Sequence, residues 1–343
     1  MEYAKKMRPS PRKVLCVVMY FASAAFICFI TRGIYLRFDY KRVIFPAAEP
    51  LVCNRNRSVH RRPPGTESKT EISDVFIGVK TTRKYHSSRL QLILDTWYSL
   101  APEEIYFFTD VDDSSLQEKT NGHIVNTGCG QGYAMPILCC KLSIIISMFH
   151  ETGKRWLCHV DDDNYLNVPN LVNLLRQYDH NQDHYIGRES LPKPKVVVDS
   201  AIRKEVQFWF ATGGAGVCYS RALISKMMIY ASKENFQKTC ARIGQPDDVT
   251  IGFIVESLLN RTLTKVCTLN SHLQTMADIP VGEQKKQVTF GYDLKDLRLK
   301  GVNVINMTAV VNDDPTRLKS FHCTFFRGYG NCPEIIPEPP PAN

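Results

Sequence analysis

Three consecutive carboxylates, Asp161, Asp162 and Asp163, follow the apolar run WLCHV at 156–160. Adjacent carboxylates repel one another, so either a divalent cation or plain exposure in a loop must relieve them. Oxygen donors suit hard cations such as Mg2+ or Mn2+, and a nearby histidine tilts the choice towards Mn2+. His272, in Asn270-Ser271-His272-Leu273, is a candidate, in competition with eight other histidines and with an ordinary place in a loop or core. A second acidic pair, Asp247 and Asp248, opens PDDVTIGFIVESLL at 246–259. Either residue can cap a helix N-terminus. A carboxylate next to a substrate hydroxyl can instead act as a general base. Between the acidic clusters lies FWFATGGAGVC at 208–218. Its Gly213, Gly214 and Gly216 permit a tight turn or close approach of backbone to a ligand, and equally a simple edge-strand turn. No Ser-His or Cys-His arrangement points to a covalent protein nucleophile.

These residues need a scaffold. DVFIGVKTT at 74–82, EIYFFTD at 104–110 and WLCHV read as strands buried on both faces, because they show little alternation. PILCCKLSIIISMFH at 136–150 reads as a long apolar helix with Pro136 near its start and Gly153 beyond its end. Helical spacing also marks 89–100 and 170–178, and 185–187 is a short strand. Strands alternating with helices predict an α/β fold with a mainly parallel sheet, whose ligand crevice lies beyond the strand carboxyl ends. The acidic triplet sits at such an end. If the strand continues through the triplet, Asp161 and Asp163 share one side and Asp162 faces the other; a turn would release that constraint. The bland alternative is an acidic loop with an N-capping Asp before the 170–178 helix.

Charge and cysteine content set the surroundings. Residues 1–62 hold 13 Lys/Arg against 3 Asp/Glu, whereas the remaining 281 hold 30 against 31. The net charge of +9 therefore belongs to the N-terminal segment, and a nearly neutral body offers little to a nucleic-acid backbone. Residues 14–30, VLCVVMYFASAAFICFI, are uncharged and follow a basic flank, which predicts a cytoplasmic tail at 1–13 and a signal-anchor helix at 14–30. A cleaved signal peptide is disfavoured because no A-x-A-like site follows. Residues 31–73 read as a stem, 74–332 as a lumenal body and 333–343, rich in proline, as a disordered tail. Ten cysteines beyond the apolar run, without a C-x-x-C pair, suggest lumenal disulfides and not a zinc ribbon. The sequons at Asn56, Asn260 and Asn306 permit glycosylation.

Taken together, DVFIGVKTT with Ser88-Arg89-Leu90, WLCHVDDDNY, FWFATGGAGVC, PDDVTIGF, the SHL around His272 and the closing Cys323 and Cys332 resemble the Fringe family of β-1,3-N-acetylglucosaminyltransferases. The resemblance runs from about 74 to 332. It implies a type II Golgi membrane protein whose lumenal body, 74–332, is the catalytic domain, with a GT-A-type nucleotide-sugar-binding fold. It also implies that Asp163 and His272 hold Mn2+, that Asp162 and Arg89 contact the UDP-sugar, and that Asp248 is the catalytic base. The implied disulfides are Cys129–Cys140, Cys158–Cys218 and Cys323–Cys332. The implied donor is UDP-GlcNAc and the implied acceptor is O-linked fucose on EGF-like repeats, as in Notch-type receptors. Three features depart from the family pattern. Asn270 stands where a histidine is often found, Cys139 is an extra cysteine beside Cys140, and 193–200 is short, which bears on acceptor preference. A related β-1,3-galactosyl- or glucosyltransferase is the alternative, with a non-catalytic, metal-dependent carbohydrate-binding membrane protein behind it.

Overall fold

The computed structural model describes residues 70–296 and 298–337. The expected cytoplasmic tail, signal-anchor and all but the last four residues of the expected stem lie outside the described residues. Among the described residues no helix is long and apolar enough to cross a membrane.

In chain order the strands that matter are β1 (Val75–Lys80), β2 (Ile105–Thr109), β3 (Ile124–Asn126), β4 (Trp156–Asp161), β5 (Asn164–Leu166), β6 (Tyr185–Gly187), β7 (Lys195–Asp199), β8 (Lys204–Phe208), β9 (Val217–Ser220), β10 (Leu263–Lys265) and β11 (Thr289–Gly291). One seven-stranded sheet runs β10-β6-β9-β4-β1-β2-β3. β1 is parallel to β2 and to β4, β2 to β3 and β10 to β6, while β9 is antiparallel to both of its neighbours. The sheet is thus mainly parallel, as the alternation of strands and helices predicts.

β4 is the central strand of the seven, and beside it lies β1, fully buried along its first five residues. The Met135–Glu151 helix covers it with Leu142, Ile145, Ile146 and Phe149, which pack against Phe76 and Phe108. Gly78 makes the close approach possible, since a Cβ there would stand 2.9 Å from Ile145. Register sets the site: parallel pairing of β1 with β4 puts Lys80 opposite Asp161, at the carboxyl ends of both strands.

Two expected helices are altered. The 89–100 segment is a π turn (His86–Leu90), a short α-helix (Gln91–Asp95) and a 3-10 turn (Trp97–Leu100). The break falls at Thr96, whose hydroxyl bonds back to the Leu92 carbonyl at 2.6 Å, while Trp97 is held by Nε1 donating to the Asn164 carbonyl at 3.2 Å. The second helix is Val168–Leu175, and its cap is Asn167, whose side chain accepts from the Asn170 amide. An N-capping Asp does not account for the triplet.

The body also begins and ends differently from the expected 74 and 332. Thr70 and Ile72 are both buried. At the other end Ile335–Pro337 pairs antiparallel with Ala309–Val311, so the first part of the supposed disordered tail is a strand.

The three expected disulfides are present: Cys129–Cys140, Cys158–Cys218 and Cys323–Cys332. Cys139, the extra cysteine, pairs with Cys240, and Cys267 is also disulfide-bonded. Cys158 and Cys218 face each other in the β4–β9 register, which ties the strand bearing the triplet to the strand leaving the glycine turn.

Candidate active site

β4 stops at Asp161, and a turn at Asp162 and Asp163 leads into β5. Simple strand alternation therefore does not govern the triplet, and its three carboxylates take three different settings. Asp161 lies 3.3 Å from Lys80 Nζ. Asp162 is buried, accepting from Thr81 Oγ1 and from Arg89 Nη1, each at 2.8 Å. Burial still pushes its carboxyl up, against the opposing pull of Arg89. Asp163 has Oδ2 at 3.4 Å from Arg89 and 3.7 Å from His272 Nδ1. Its carboxyl is pushed up to about 7, first by burial and then by the charge of Asp161.

His272 comes from a loop far along the chain. β11 pairs with β5 so that Gly291 lies opposite Asn164, the residue after Asp163. Gly291 has no room for a Cβ, because the Ser271–His272 backbone lies directly on it. Asn303 Nδ2 donates to the His272 carbonyl at 2.7 Å and Arg298 donates to the same oxygen, which fixes the loop from the outside. Asn270 is buried; it accepts from Arg188 at 2.8 Å and donates to the Thr289 carbonyl at 3.0 Å. It is thus a packing residue that orients the loop.

Asp163 Oδ1 and His272 Nδ1 are both buried polar atoms without a hydrogen-bond partner. Such orphans are costly in a folded protein unless something else binds there. A carboxylate and an imidazole whose nearest oxygen and nitrogen lie 3.7 Å apart offer donor types that suit a divalent cation. Among the described residues no group of three or more His, Cys, Asp or Glu is arranged to hold a metal. A cation here would have two protein donors, leaving its other positions to substrate oxygens and water.

The second acidic pair lies across the glycine turn. Gly213–Ala215 forms a 3-10 turn, with Asn164 Nδ2 donating to the Gly214 carbonyl at 2.6 Å. The Cβ position of Gly213 is 3.6 Å from Asp248 Cβ. That of Gly214 is 3.6 Å from Asp161 Oδ2 and 4.0 Å from His272 Cε1. Two adjacent glycines therefore separate the triplet and His272 on one side from Asp248 on the other. Asp247 and Asp248 begin the Asp247–Gly252 helix. Asp247 is buried and held down by Lys80, whose Nζ donates to it at 2.8 Å, although burial alone would raise it. Asp248 keeps some access to solvent and accepts from the Val249 amide at 2.8 Å and the Gly213 amide at 3.4 Å. Burial, then the neighbouring charge of Asp247, pushes its carboxyl up to about 6.

Lys80 was not legible as a site residue, yet it joins the two halves. Burial disfavours its charge, but Asp161 and Asp247 outweigh that and hold it firmly protonated. Arg89 rests 4.0 Å over the Tyr85 ring and 6.0 Å from Tyr292, so two further aromatic residues frame the side chain expected to meet the nucleotide.

The Fringe-like family model matches residues 70–328. The chain belongs to the Fringe family. It is 46% identical over 270 residues to the Fringe glycosyltransferase of Drosophila melanogaster, which covers 77% of this chain and 65% of that protein. It is 43% identical over 280 residues to the β-1,3-N-acetylglucosaminyltransferase lunatic fringe of Danio rerio, covering 80% of this chain and 73% of that one. The chain thus spans just under two thirds of the length of the insect Fringe protein. Among solved structures, the galactosyltransferase LgtC in complex with donor and acceptor sugar analogues superposes with a TM-score of 0.38 at 10% identity, over 63% of this chain and 86% of that one. The Fringe match starts at Thr70, the first of the described residues, and spans every residue of the constellation around Gly213 and Gly214.

Proposed function

We propose that this Fringe-family chain is an inverting glycosyltransferase that moves N-acetylglucosamine from UDP-GlcNAc, in β-1,3 linkage, onto O-linked fucose of EGF-like repeats. By lengthening that glycan on Notch-type receptors it modulates their signalling. The observation that carries the reading is the glycine turn: it brings a carboxylate with a raised pKa, Asp248, close to a pair of orphaned donors, Asp163 and His272.

Each residue then has a task. Arg89 and Asp162, locked to each other, present a fixed edge to the donor nucleotide, and Arg89 adds positive charge beside its phosphates. Asp163 and His272 would hold Mn2+, which, when bound, supplies Lewis-acid stabilisation of the departing UDP. Asp248 accepts the proton of the fucose 3-hydroxyl as that oxygen bonds to the anomeric carbon. The anomeric C–O bond breaks, its electron pair leaves on UDP, and one in-line displacement turns an α-linked donor into a β-linked product. A base whose pKa lies near 6 is charged at neutral pH yet still has appreciable proton affinity. The same reading places the protein in the Golgi membrane as a single-pass type II protein with its catalytic domain in the lumen, which suits a disulfide-rich body.

The test is a donor and acceptor panel. Full-length protein in detergent is given Mn2+, UDP-GlcNAc, UDP-galactose or UDP-glucose, and fucosylated or bare EGF-like repeat. A mass gain of one N-acetylhexosamine on the fucosylated repeat alone is expected. Transfer of hexose, or transfer to bare repeat, would overturn the assignment.

A further inference from the structure

The β7–β8 hairpin lies outside the main sheet and has no part in the chemistry above. Its inner face is packed and pinned: Val197 and Phe208 join Phe210, Ile243, Val249 and Phe253 in a separate apolar cluster. Asp199 takes two hydrogen bonds from Arg242, both at 2.6 Å. Its outer face is different. Val196 is 51% exposed, Val198 60% and Ile202, at the turn, 53%. Lys193, Arg203 and Lys204 stand exposed around these aliphatic side chains, and none has an ion-pair partner among the described residues. Glu205, also exposed, lies opposite Val198, so three cations and one carboxylate flank these aliphatic side chains, and such a surface on a packed strand pair suits a partner with its own apolar patch and an excess of carboxylates.

The hairpin is built into the base side of the site. β8 runs on through Trp209 and Thr212 to Gly213, whose amide donates to Asp248. Val249, packed beneath the hairpin, is the residue after Asp248, and Arg242 lies five residues before Asp247. A molecule held on this surface is therefore held by the strand pair that packs on the segment to which the acceptor hydroxyl must come. The hairpin 293–303, also partly apolar, is instead tied to the His272 loop.

We propose that the outer face of the β7–β8 hairpin is the docking surface for the acceptor protein, contacting an acidic, partly apolar face of the folded domain that carries the sugar. This rests on the functional reading above and deepens it: the chemistry recognises fucose, and the hairpin recognises the polypeptide bearing it.

Full-length protein in detergent is compared with two variants, Val196→Thr/Val198→Thr and Lys193→Glu/Arg203→Glu/Lys204→Glu. Each is assayed on a fucosylated EGF-like repeat and on a free aryl fucoside. Both variants should lose about tenfold or more in kcat/KM on the folded acceptor, the loss expected when one or two interface anchors are removed. Activity on the aryl fucoside and the thermal midpoint should stay unchanged. Equal losses on both acceptors, or none on either, would overturn the proposal. So would loss of binding to anionic vesicles with unchanged use of the folded acceptor, which would make the hairpin a membrane contact. If unsubstituted protein transferred sugar to neither fucose acceptor, the functional reading itself would fall, a result distinguishable from all of these.

Discussion

At the scale of single residues, the site depends on placing charges of both signs where water is scarce. Asp248 illustrates the consequence. Its carboxyl sits near 6, above the usual carboxylate range, because burial and Asp247 disfavour its anion. As a base it must be deprotonated, so transfer should fall about tenfold per pH unit below pH 6 and level off above it. A rate profile flat down to pH 5 would remove Asp248 from that role. The same shift has a stability sign. A folded-state pKa raised above the unfolded value means that the group stabilises the fold only at low pH, and that the contribution is lost as pH rises through 6. Asp248→Asn should therefore lower turnover by about 10²–10⁴-fold while raising the thermal midpoint at pH 7.5, and raising it less at pH 5. Binding of UDP with Mn2+ should persist in that variant. Lys80 is the converse case. Lys80→Met leaves Asp161 and Asp247 without their counter-charge, a loss of about 3–5 kcal/mol for a broken buried pair. Denaturant unfolding of the variant measures it, and a change below 1 kcal/mol would show the cluster to be solvated. Lys80 escaped the sequence reading for a plain reason: its partner Asp247 is 167 residues away, and no local pattern records such a pairing.

At the scale of elements, apolar runs with little alternation were enough to find β1, β2, β4 and the Met135–Glu151 helix, and with them the end of the sheet where Asp161 stands. What stayed hidden were the devices that use backbone rather than side-chain pattern. The β5–β11 pair is too short to show a period, and the close contact of Gly291 with the His272 loop has no signal beyond one glycine. The glycine turn itself was visible, but not which of its glycines serves the fold and which the site. The structure separates them. Gly216 has φ +87°, and an added Cβ would stand 3.1 Å from Val160, so Gly216→Ala should destabilise by about 1–3 kcal/mol. Gly214 has no such φ, and its Cβ would make ordinary contacts with Asp161, Ser271 and His272. Gly214→Ala should therefore keep its thermal midpoint but weaken donor binding, because the new methyl enters the gap beside His272. Calorimetric titration with UDP and Mn2+ checks this, and wild-type affinity would place the donor elsewhere. The extra bond Cys139–Cys240 acts at this scale too. It joins the second turn of the long helix to the Phe236–Ile243 helix that leads into Asp247, next to Cys140, which holds the 127–133 loop through Cys129.

At the scale of the whole molecule, the boundary of the folded body is a physical question that composition alone placed a few residues late. The stem-like composition up to 73 conceals four residues that the fold uses. Thr70 accepts from Trp156 Nε1 at 3.3 Å through its hydroxyl and from Arg176 Nε at 2.8 Å through its carbonyl. Arg176 also reaches both Glu71 carboxylate oxygens at 2.8 Å, and Ile72 is buried. A chain beginning at 74 would expose Trp156 at the start of β4 and take from Arg176 its acceptors on Thr70 and Glu71, leaving Asn173 Oδ1 at 3.3 Å. Losing the burial of Ile72 alone costs about 1.5–3 kcal/mol, and the lost hydrogen bonds add about 1 kcal/mol each. Two chains, 63–343 and 74–343, should thus differ by several degrees or more in thermal midpoint, a shift of about 4 °C or less per kcal/mol being normal for a body of this size. Their turnover per folded molecule should nevertheless agree. Trp156 and Asp161 are opposite ends of one strand, roughly 16 Å apart at about 3.3 Å per residue, so damage at the amino end unfolds the protein before it bends the site. If the shorter chain kept its stability but lost transfer, residues 70–73 would have to act on the chemistry directly, and the separation between scaffold and site argued at the two smaller scales would not hold.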